Sequence, residues 1–349
     1  MTIAFYLLTL LGLTVYSYSQ IDLNLTLLQA PWFLTFQNAM IQLGYYQRPI
    51  STLIFFILLI TLYLLYFKLW KLEIGNWKLA FGIIGILSLL AYPFLSHDIF
   101  NYMFDAKIVT TYGQNPYFFK ALDFPADSWL RFMHWTHRSY PYGPIWLLAT
   151  LAPSFLGFGK FILTLLNFKL LFLICYLVNS WLIFKISKLE GLKLFALNPL
   201  IILETLYSPH NEALMLTFLL LSIYFGKLDK KTPRLISLLL SAGVKYLTIV
   251  LIPVKDIILS LWLLFFAILF VVFTHEPYPW YLVTFIGLAA LLPQNKKLHY
   301  FLTAISFGTL LRYIPYLYVG DYSAPVQLAK NFLTIIPVAL VSLYYVFKK

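Results

Sequence analysis

The feature that most constrains this chain is a set of apolar stretches that no water-soluble fold could cover. From Pro49 to Phe67 and from Ile257 to Thr274 no side chain is charged. A helix of about 20 such residues matches the hydrocarbon core of a bilayer. Only 11% of the 349 residues are charged and 61% are hydrophobic, where a soluble domain carries roughly 25% charge. A globule so composed could not keep its surface wet, and a disordered chain needs the opposite balance. The expectation is an all-α polytopic membrane protein, with about 11–13 membrane segments at one helix per 20 residues. No linker separates a second domain, so residues 1–349 form one transmembrane unit. The single cysteine, Cys175, permits no intramolecular disulfide. The stretch from Ile3 to Tyr16 lacks a basic leader and a small-residue cleavage site, and is read as a retained helix.

Charge placement predicts topology. Short cytoplasmic loops collect Lys and Arg. Five clusters stand out: Lys68/Lys71/Lys78, Lys185/Lys188/Lys193, Lys227/Lys230/Lys231/Arg234 with Lys255, Lys296/Lys297 and Lys348/Lys349. Placed on one side, they give it fifteen basic residues against the four acids Glu73, Glu190, Asp229 and Asp256. The other side then holds nine of each sign, and Lys169 is left inside a helix. The spans that follow are 3–17, 50–67, 79–96, 161–187, 192–207, 211–227, 257–274, 278–293, 298–315 and 326–347. The stretch 143–157 and the pair 234–244 and 246–254, which turn at Lys245, are too short to cross. Broken helices are tolerated at membrane depth only when buried in protein or lining a wet cavity. They point to an external hollow.

The longest polar stretch, 97–142, follows the third span and is expected to be external. Within it Asp98, Tyr102 and Asp105 fall on one helical face, with Phe100, Phe104 and Ile108 on another. This predicts an amphipathic helix lying flat on the membrane, with Asp98 at the positive end of its dipole. Asp98 reads equally as a simple helix cap. Gly113-Gln114-Asn115-Pro116 ends that helix, and His134, His137, Arg138 and Tyr140-Pro141-Tyr142-Gly143-Pro144 follow. Clustered His, Arg and Tyr suit a phosphate or sugar hydroxyls, and an interfacial aromatic belt has the same composition. A Pro209-His210-Asn211-Glu212 turn joins two apolar segments, and Glu204 lies two turns inside the first. Such a carboxylate faces a cavity or a basic partner. Lys245 and Arg312, each among apolar neighbours, are candidates for a bound phosphate. His275-Glu276-Pro277-Tyr278-Pro279-Trp280-Tyr281 is a further external turn with flat rings suited to sugars. No P-loop or G-x-G-x-x-G is present, so no nucleotide site is expected, and the positive charge reads as membrane anchoring, not nucleic-acid binding. No cofactor or metal is required. By residue type alone, a divalent cation could take His97, Asp98 and Asp105.

These residues resemble a known group. A multi-helix membrane protein whose first large external loop opens with an acid is similar to the GT-C glycosyltransferases. Asp98-Ile-Phe-Asn-Tyr102, then Tyr-Gly113-Gln-Asn115-Pro116-Tyr117, then Tyr142-Gly143-Pro144 resemble the alpha-(1→6)-mannopyranosyltransferase family, which is related to GPI mannosyltransferase I. Asn198-Pro199-Leu200, His210-Asn211-Glu212, Gly243-Val-Lys245-Tyr and Pro279-Trp280-Tyr281 match further blocks of that family, in order, over about 95–285. The chain departs from the pattern at Glu212, where the family often has Asp, and in a shorter C-terminal end.

The resemblance implies transfer of a sugar, mannose, with inversion from a polyprenyl-phosphate donor to a hydroxyl of a glycan or glycolipid. The reaction would take place on the outer face of the cell membrane. Asp98 matches the acid that family members use as base. A leaving lipid phosphate needs cationic partners, for which Lys245, Arg312, His210 and Arg138 are the external candidates, and Tyr102, Asp105, Asn115, Tyr142, Asn211, Glu212, Glu276 and Trp280 are the candidate contacts to sugar or acceptor. The competing class is a secondary transporter, or a flippase or scramblase of lipid-linked glycans. A transporter predicts a repeat with matching breaks in both halves. None is visible in the sequence.

Overall fold

The structure is a computed structural model and describes residues 1–72, 75 and 77–348. Of the charged residues used for topology, Glu73 and Lys349 lie outside the described residues. Among those described, the regular elements are helices throughout. The order is α1 (Thr2–Ser17), α2 (Pro31–Ile41), α3 (Arg48–Lys71), α4 (Trp77–Leu90), α5 (Asp98–Thr110), α6 (Pro144–Phe155), α7 (Phe161–Ala196) and α8 (Pro199–Ile202). Then come α9 (Glu212–Lys227), α10 (Lys231–Val244), α11 (Ile257–Thr274), α12 (Leu282–Ala289), α13 (Lys296–Leu311), α14 (Tyr313–Val319) and α15 (Ala324–Phe347). Among the described residues five helices are long and apolar enough to cross a membrane: Thr2–Gln20, Arg48–Lys71, Phe161–Ala196, Ile257–Thr274 and Ala324–Phe347. The chain is an all-α polytopic membrane protein. The other expected spans are shorter helices, among them the apolar Trp77–Leu90, Pro144–Phe155 and Pro279–Ala289.

The breaks follow local chemistry. The expected division between 161–187 and 192–207 falls at Lys188, where φ is 60° and two helices meet within α7. The expected segment 192–207 is itself interrupted. Asn198 accepts the N–H of Leu200 with its side chain, and Pro199 opens α8. That is the preferred chemistry for a new helix start. A widened π-turn, Leu203–Tyr207, carries Glu204. Pro144 likewise opens α6, and α10 ends at Val244, with tighter turns over Tyr246–Leu251. The expected span 298–315 divides at Arg312 into α13 and α14. In the stretch after α1, α2 is a helix that the sequence reading did not anticipate.

The two broken regions meet each other. The N–H of Gly143 donates to the carbonyl of Val244 at 3.1 Å. A Cβ at Gly143 would stand 2.0 Å from the Gly243 carbonyl oxygen, so only glycine allows this approach. Buried Lys169, the charge left inside α7, donates to the carbonyl of Ala91 just beyond the end of α4. The carbonyls of a last helical turn have no partner within their own helix, and a lysine ammonium supplies one here.

Helix α5 departs from expectation. It does not lie flat with one face open. Ile99, Phe100, Asn101, Tyr102, Met103, Phe104, Ala106 and Ile108 are all buried, so protein covers it around most of its circumference. The cover is its own following loop. Phe132 packs on Phe100 with ring centroids 6.0 Å apart, and Asp127 takes both Lys107 at 2.6 Å and the Tyr112 hydroxyl at 2.7 Å. On the other side Tyr102 meets Trp146 of α6 edge to face at 5.0 Å. The apolar stripe that suggested a lipid surface is spent on loop aromatics. Gly143→Ala should destabilise the fold by on the order of 1–3 kcal/mol through steric overlap with the Gly243 carbonyl. A lower midpoint of thermal unfolding in detergent would register the loss, and an unchanged midpoint would contradict the contact.

Candidate active site

The site begins with one hydrogen bond between two loops. The N–H of Leu95 donates to the Ser208 hydroxyl at 2.9 Å. This ties the approach to α5 to the turn before α9, and so brings Asp98 beside His210. Asp98 is the first residue of α5, and His97 occupies the cap position. The His97 side chain makes no cap hydrogen bond. Oδ2 of Asp98 lies 3.8 Å from Nε2 of His210. The other nitrogen, Nδ1, lies 3.1 Å from Oε2 of Glu204. Glu204 Oε1 in turn accepts from the Tyr313 hydroxyl at 3.0 Å. The result is a row, Asp98···His210···Glu204···Tyr313, with a closed middle: the side chain of Asp98 is 16% exposed, that of His210 is 1% and that of Glu204 is 0%. Trp280 stacks on the imidazole at 4.1 Å and Tyr278 stacks on Trp280 at 4.3 Å.

Around this row are buried polar atoms with no protein partner. Both amide atoms of Asn211, Oε2 of Glu212, Oδ2 of Asp105 and Oδ1 of Asn101 are of this kind. Burying such groups unpaired costs about 1–3 kcal/mol each. Their concentration marks where a polar ligand would complete the bonding. Glu212 uses its other oxygen on the Lys245 ammonium, which also sits 5.0 Å over the ring of Tyr281. The side chain of Lys245 is 26% exposed, so part of its charge faces outward.

The remaining expected residues divide. Tyr102 and Tyr142 meet edge to face at 5.3 Å, and the Arg138 guanidinium lies 5.6 Å from the Tyr142 ring centroid. The Tyr102 hydroxyl is held protonated by burial first, then by Tyr142 and by the carboxylates of Asp98 and Glu212. Asn115 is exposed and accepts the N–H of Tyr117, shaping the turn whose Tyr117 hydroxyl bonds the Tyr142 carbonyl at 3.0 Å. Arg312 is committed to Glu276 at 2.9 Å, Asn331 at 3.0 Å and Thr334 at 3.1 Å. Lys330 reaches the same Glu276 at 2.6 Å. Burial opposes the Glu276 charge, but Lys330 and Arg312 outweigh it and hold its pKa below the usual carboxylate range. His210, expected among cations for a phosphate, lies between two carboxylates.

Two participants, Tyr313 and Ser208, carry no motif in the sequence. Glu204 stands out there as a carboxylate in an apolar helix, and the basic partner that its position demands is His210. The ligand types that approach His97 are not Asp98 and Asp105 but Asp22 and His134. Two cavities among the described residues lie away from Asp98 and are not the hollow expected beneath it. One of about 240 Å³ is lined by Lys227, Lys231, Arg234 and Lys255, and another of about 330 Å³ by Met1, Leu69 and Leu79.

Asp105 provides a test of this environment. Burial, opposed by Arg138 and assisted by Asp98, raises its pKa to about 7. A raised carboxylate pKa means that folding favours the protonated form, so the stabilisation is full below the unfolded value and is lost as pH rises through about 7. Asp105→Asn should therefore be more stable than the parent at pH 8, and the difference should shrink toward pH 4. Parallel thermal-unfolding curves across that range with no convergence would show that Asp105 is not buried as described.

No curated protein and no solved structure matched the chain. The model of the alpha-(1→6)-mannopyranosyltransferase N-terminal domain matches residues 28–261, a range that contains Asp98, His210, Glu212 and Lys245. This chain belongs to the alpha-(1→6)-mannopyranosyltransferase family and is a membrane mannosyltransferase.

Proposed function

We propose that the protein transfers mannose, with inversion, from a polyprenyl-phosphate donor to a hydroxyl of a glycan or glycolipid at the outer face of the cell membrane, with Asp98 as general base. The observation that carries the reading is the Asp98···His210···Glu204 row, ringed by unpartnered buried polar atoms, at the positive end of α5.

The chemistry balances in a single displacement. The acceptor oxygen forms a bond to the anomeric carbon as the bond from that carbon to the phosphate oxygen breaks. The acceptor proton passes to Asp98, and the polyprenyl phosphate leaves with the electron pair. A sugar hydroxyl is a weak nucleophile unless a base takes its proton in the transition state. One carboxylate suffices for inversion, whereas retention requires a second as nucleophile. His210 is the positioning residue, holding Asp98 from behind while Glu204 holds the imidazole. Lys245, partly exposed and paired with Glu212, is the cation with room for the leaving phosphate, with Arg138 on the α5 side. Arg312 acts through Glu276 on the wall that carries Tyr278 and Trp280. Asn211 and Glu212 supply free donors and acceptors to sugar hydroxyls.

Asp98→Asn should lower turnover by about 10²–10⁴-fold while leaving the protein folded and inserted. The assay is release of radiolabelled mannose from polyprenyl-phosphate mannose to extracted membrane lipids. Parental turnover in that variant would remove Asp98 from the mechanism. Lys245→Ala should raise the donor KM about tenfold, since a hydrogen bond to a charged group is worth ~1.5 kcal/mol or more. An unchanged KM with unchanged kcat would assign Lys245 to Glu212 alone.

A further inference from the structure

Three segments far apart in sequence deliver metal-ligating side chains to one place outside the row just described. Asp22 follows α1, His97 precedes α5, and His134 lies in the loop that covers α5. One ligand atom from each lies within 4.8 Å of the others. The two imidazoles are stacked with centroids 3.9 Å apart and planes 16° apart, and His134 Nε2 stands 3.9 Å from Asp22 Oδ2. Two protonated rings would repel across such a stack, so at least one ring is neutral, the form that ligates a metal.

We propose that Asp22, His97 and His134 bind one zinc ion, which clips the loop after α1 and the loop after α5 to the residue that immediately precedes Asp98. The donor set favours a transition metal over a hard cation. Two nitrogens and one carboxylate suit zinc and also ferrous iron, of which zinc needs no redox partner, whereas magnesium and calcium are held by oxygen ligands throughout. Three protein ligands with a fourth position left to water is a common zinc arrangement.

The approach distances fit. At bond lengths of about 2.0–2.1 Å, tetrahedral ligand atoms stand roughly 3.4 Å apart. The separations are close to these, but lone pairs of stacked rings run nearly parallel, so binding requires the His134 ring to turn out of the stack, which its 47% exposed side chain is free to do.

The surroundings already hold the ligands in place. The Asp22 N–H donates to the Tyr92 hydroxyl at 3.2 Å, and Asp22 Oδ1 accepts from the N–H of Asn24 at 2.8 Å. That leaves Oδ2 toward His134. The Asn24 side chain donates to the Arg131 carbonyl at 3.2 Å, joining the two loops beside the site. Outer contacts of this kind orient metal ligands. His97 gains most from the ion, because it is the cap residue of α5 and its backbone carbonyl receives the N–H of Phe100 at 3.0 Å. Fixing His97 fixes the first turn of α5. An effect of the ion on transfer rests on the proposed role of Asp98. Binding of the ion does not.

The test uses the full-length protein in nanodiscs, purified through a tag without histidines and stripped with EDTA. Zinc is added, unbound ion is removed by gel filtration, and retained zinc is counted by elemental mass spectrometry, alongside thermal unfolding with and without zinc. One zinc per chain and a raised unfolding midpoint are expected. His134→Ala should keep the zinc-free midpoint of the parent, because the residue is exposed, yet lose zinc affinity by at least about tenfold and lose the zinc-dependent rise. Asp22→Asn and His97→Ala should lose zinc in the same way. No retained zinc in the parent, or equal retention in parent and His134→Ala, would leave an ordinary aspartate–histidine contact and overturn the proposal. Because zinc is counted without any sugar transfer, an inactive transferase and a missing metal site give different results.

Discussion

A chain that breaks its helices in apolar surroundings must find new partners for the backbone groups it frees, and this requirement organises the molecule. Water is not there to take them, and each unpaired group is costly. The breaks are therefore joined to one another. Gly143 donates to Val244, so the start of α6 is fastened to the end of α10. Leu95 donates to Ser208, so the approach to α5 is fastened to the turn before α9. Lys169 takes the carbonyl beyond α4. Polar side chains ride on these same irregular stretches, and pairing the breaks gathers them into one region.

The charges obey a related rule. Taking a carboxylate out of water is expensive unless a partner and further hydrogen bonds accompany it. Glu276 is shared by Arg312, Lys330 and Gln327. Glu204 has His210 and Tyr313, and Glu212 has Lys245. A buried ion pair contributes little net stability over a well-packed apolar replacement. What these pairs supply is position: they hold Asp98 beside an imidazole and leave Lys245 with part of its ammonium outward. Among the buried side-chain atoms without a hydrogen-bond partner, those of His210, Asn211, Glu212 and Asp105 lie around the same acid.

Helix α5 shows how a sequence pattern can be right about faces and wrong about what meets them. Asp98, Tyr102 and Asp105 do share a side, and Phe100 and Phe104 do form an apolar one. A bilayer and a cap of aromatic loop residues ask the same of that stripe. Only the fold of residues 112–142, with Trp129 and Phe132 turned inward and Asp127 gripping Lys107, decides between them.

The amino-acid sequence alone determined the solvent, the helical class and several of the places where helices stop, though not α2 or the division at Arg312. Long uncharged runs demand a bilayer, and Asn-Pro, Gly-Pro and the turn at His210 interrupt helices by local chemistry that acts over a few residues. It also marked Asp98, His210, Glu212 and Lys245, because ionisable groups among apolar neighbours are too costly to be incidental. Which of these touch was decided by tertiary structure alone. His210 could have served an anion or a carboxylate, and the docking of Ser208 on Leu95 gave it Asp98 and Glu204. His97 could have joined Asp98 and Asp105, and the packing of two loops gave it Asp22 and His134. Contacts between residues 75 or 112 positions apart follow from how whole helices and loops pack, and no pattern with a period of three or four residues carries that information.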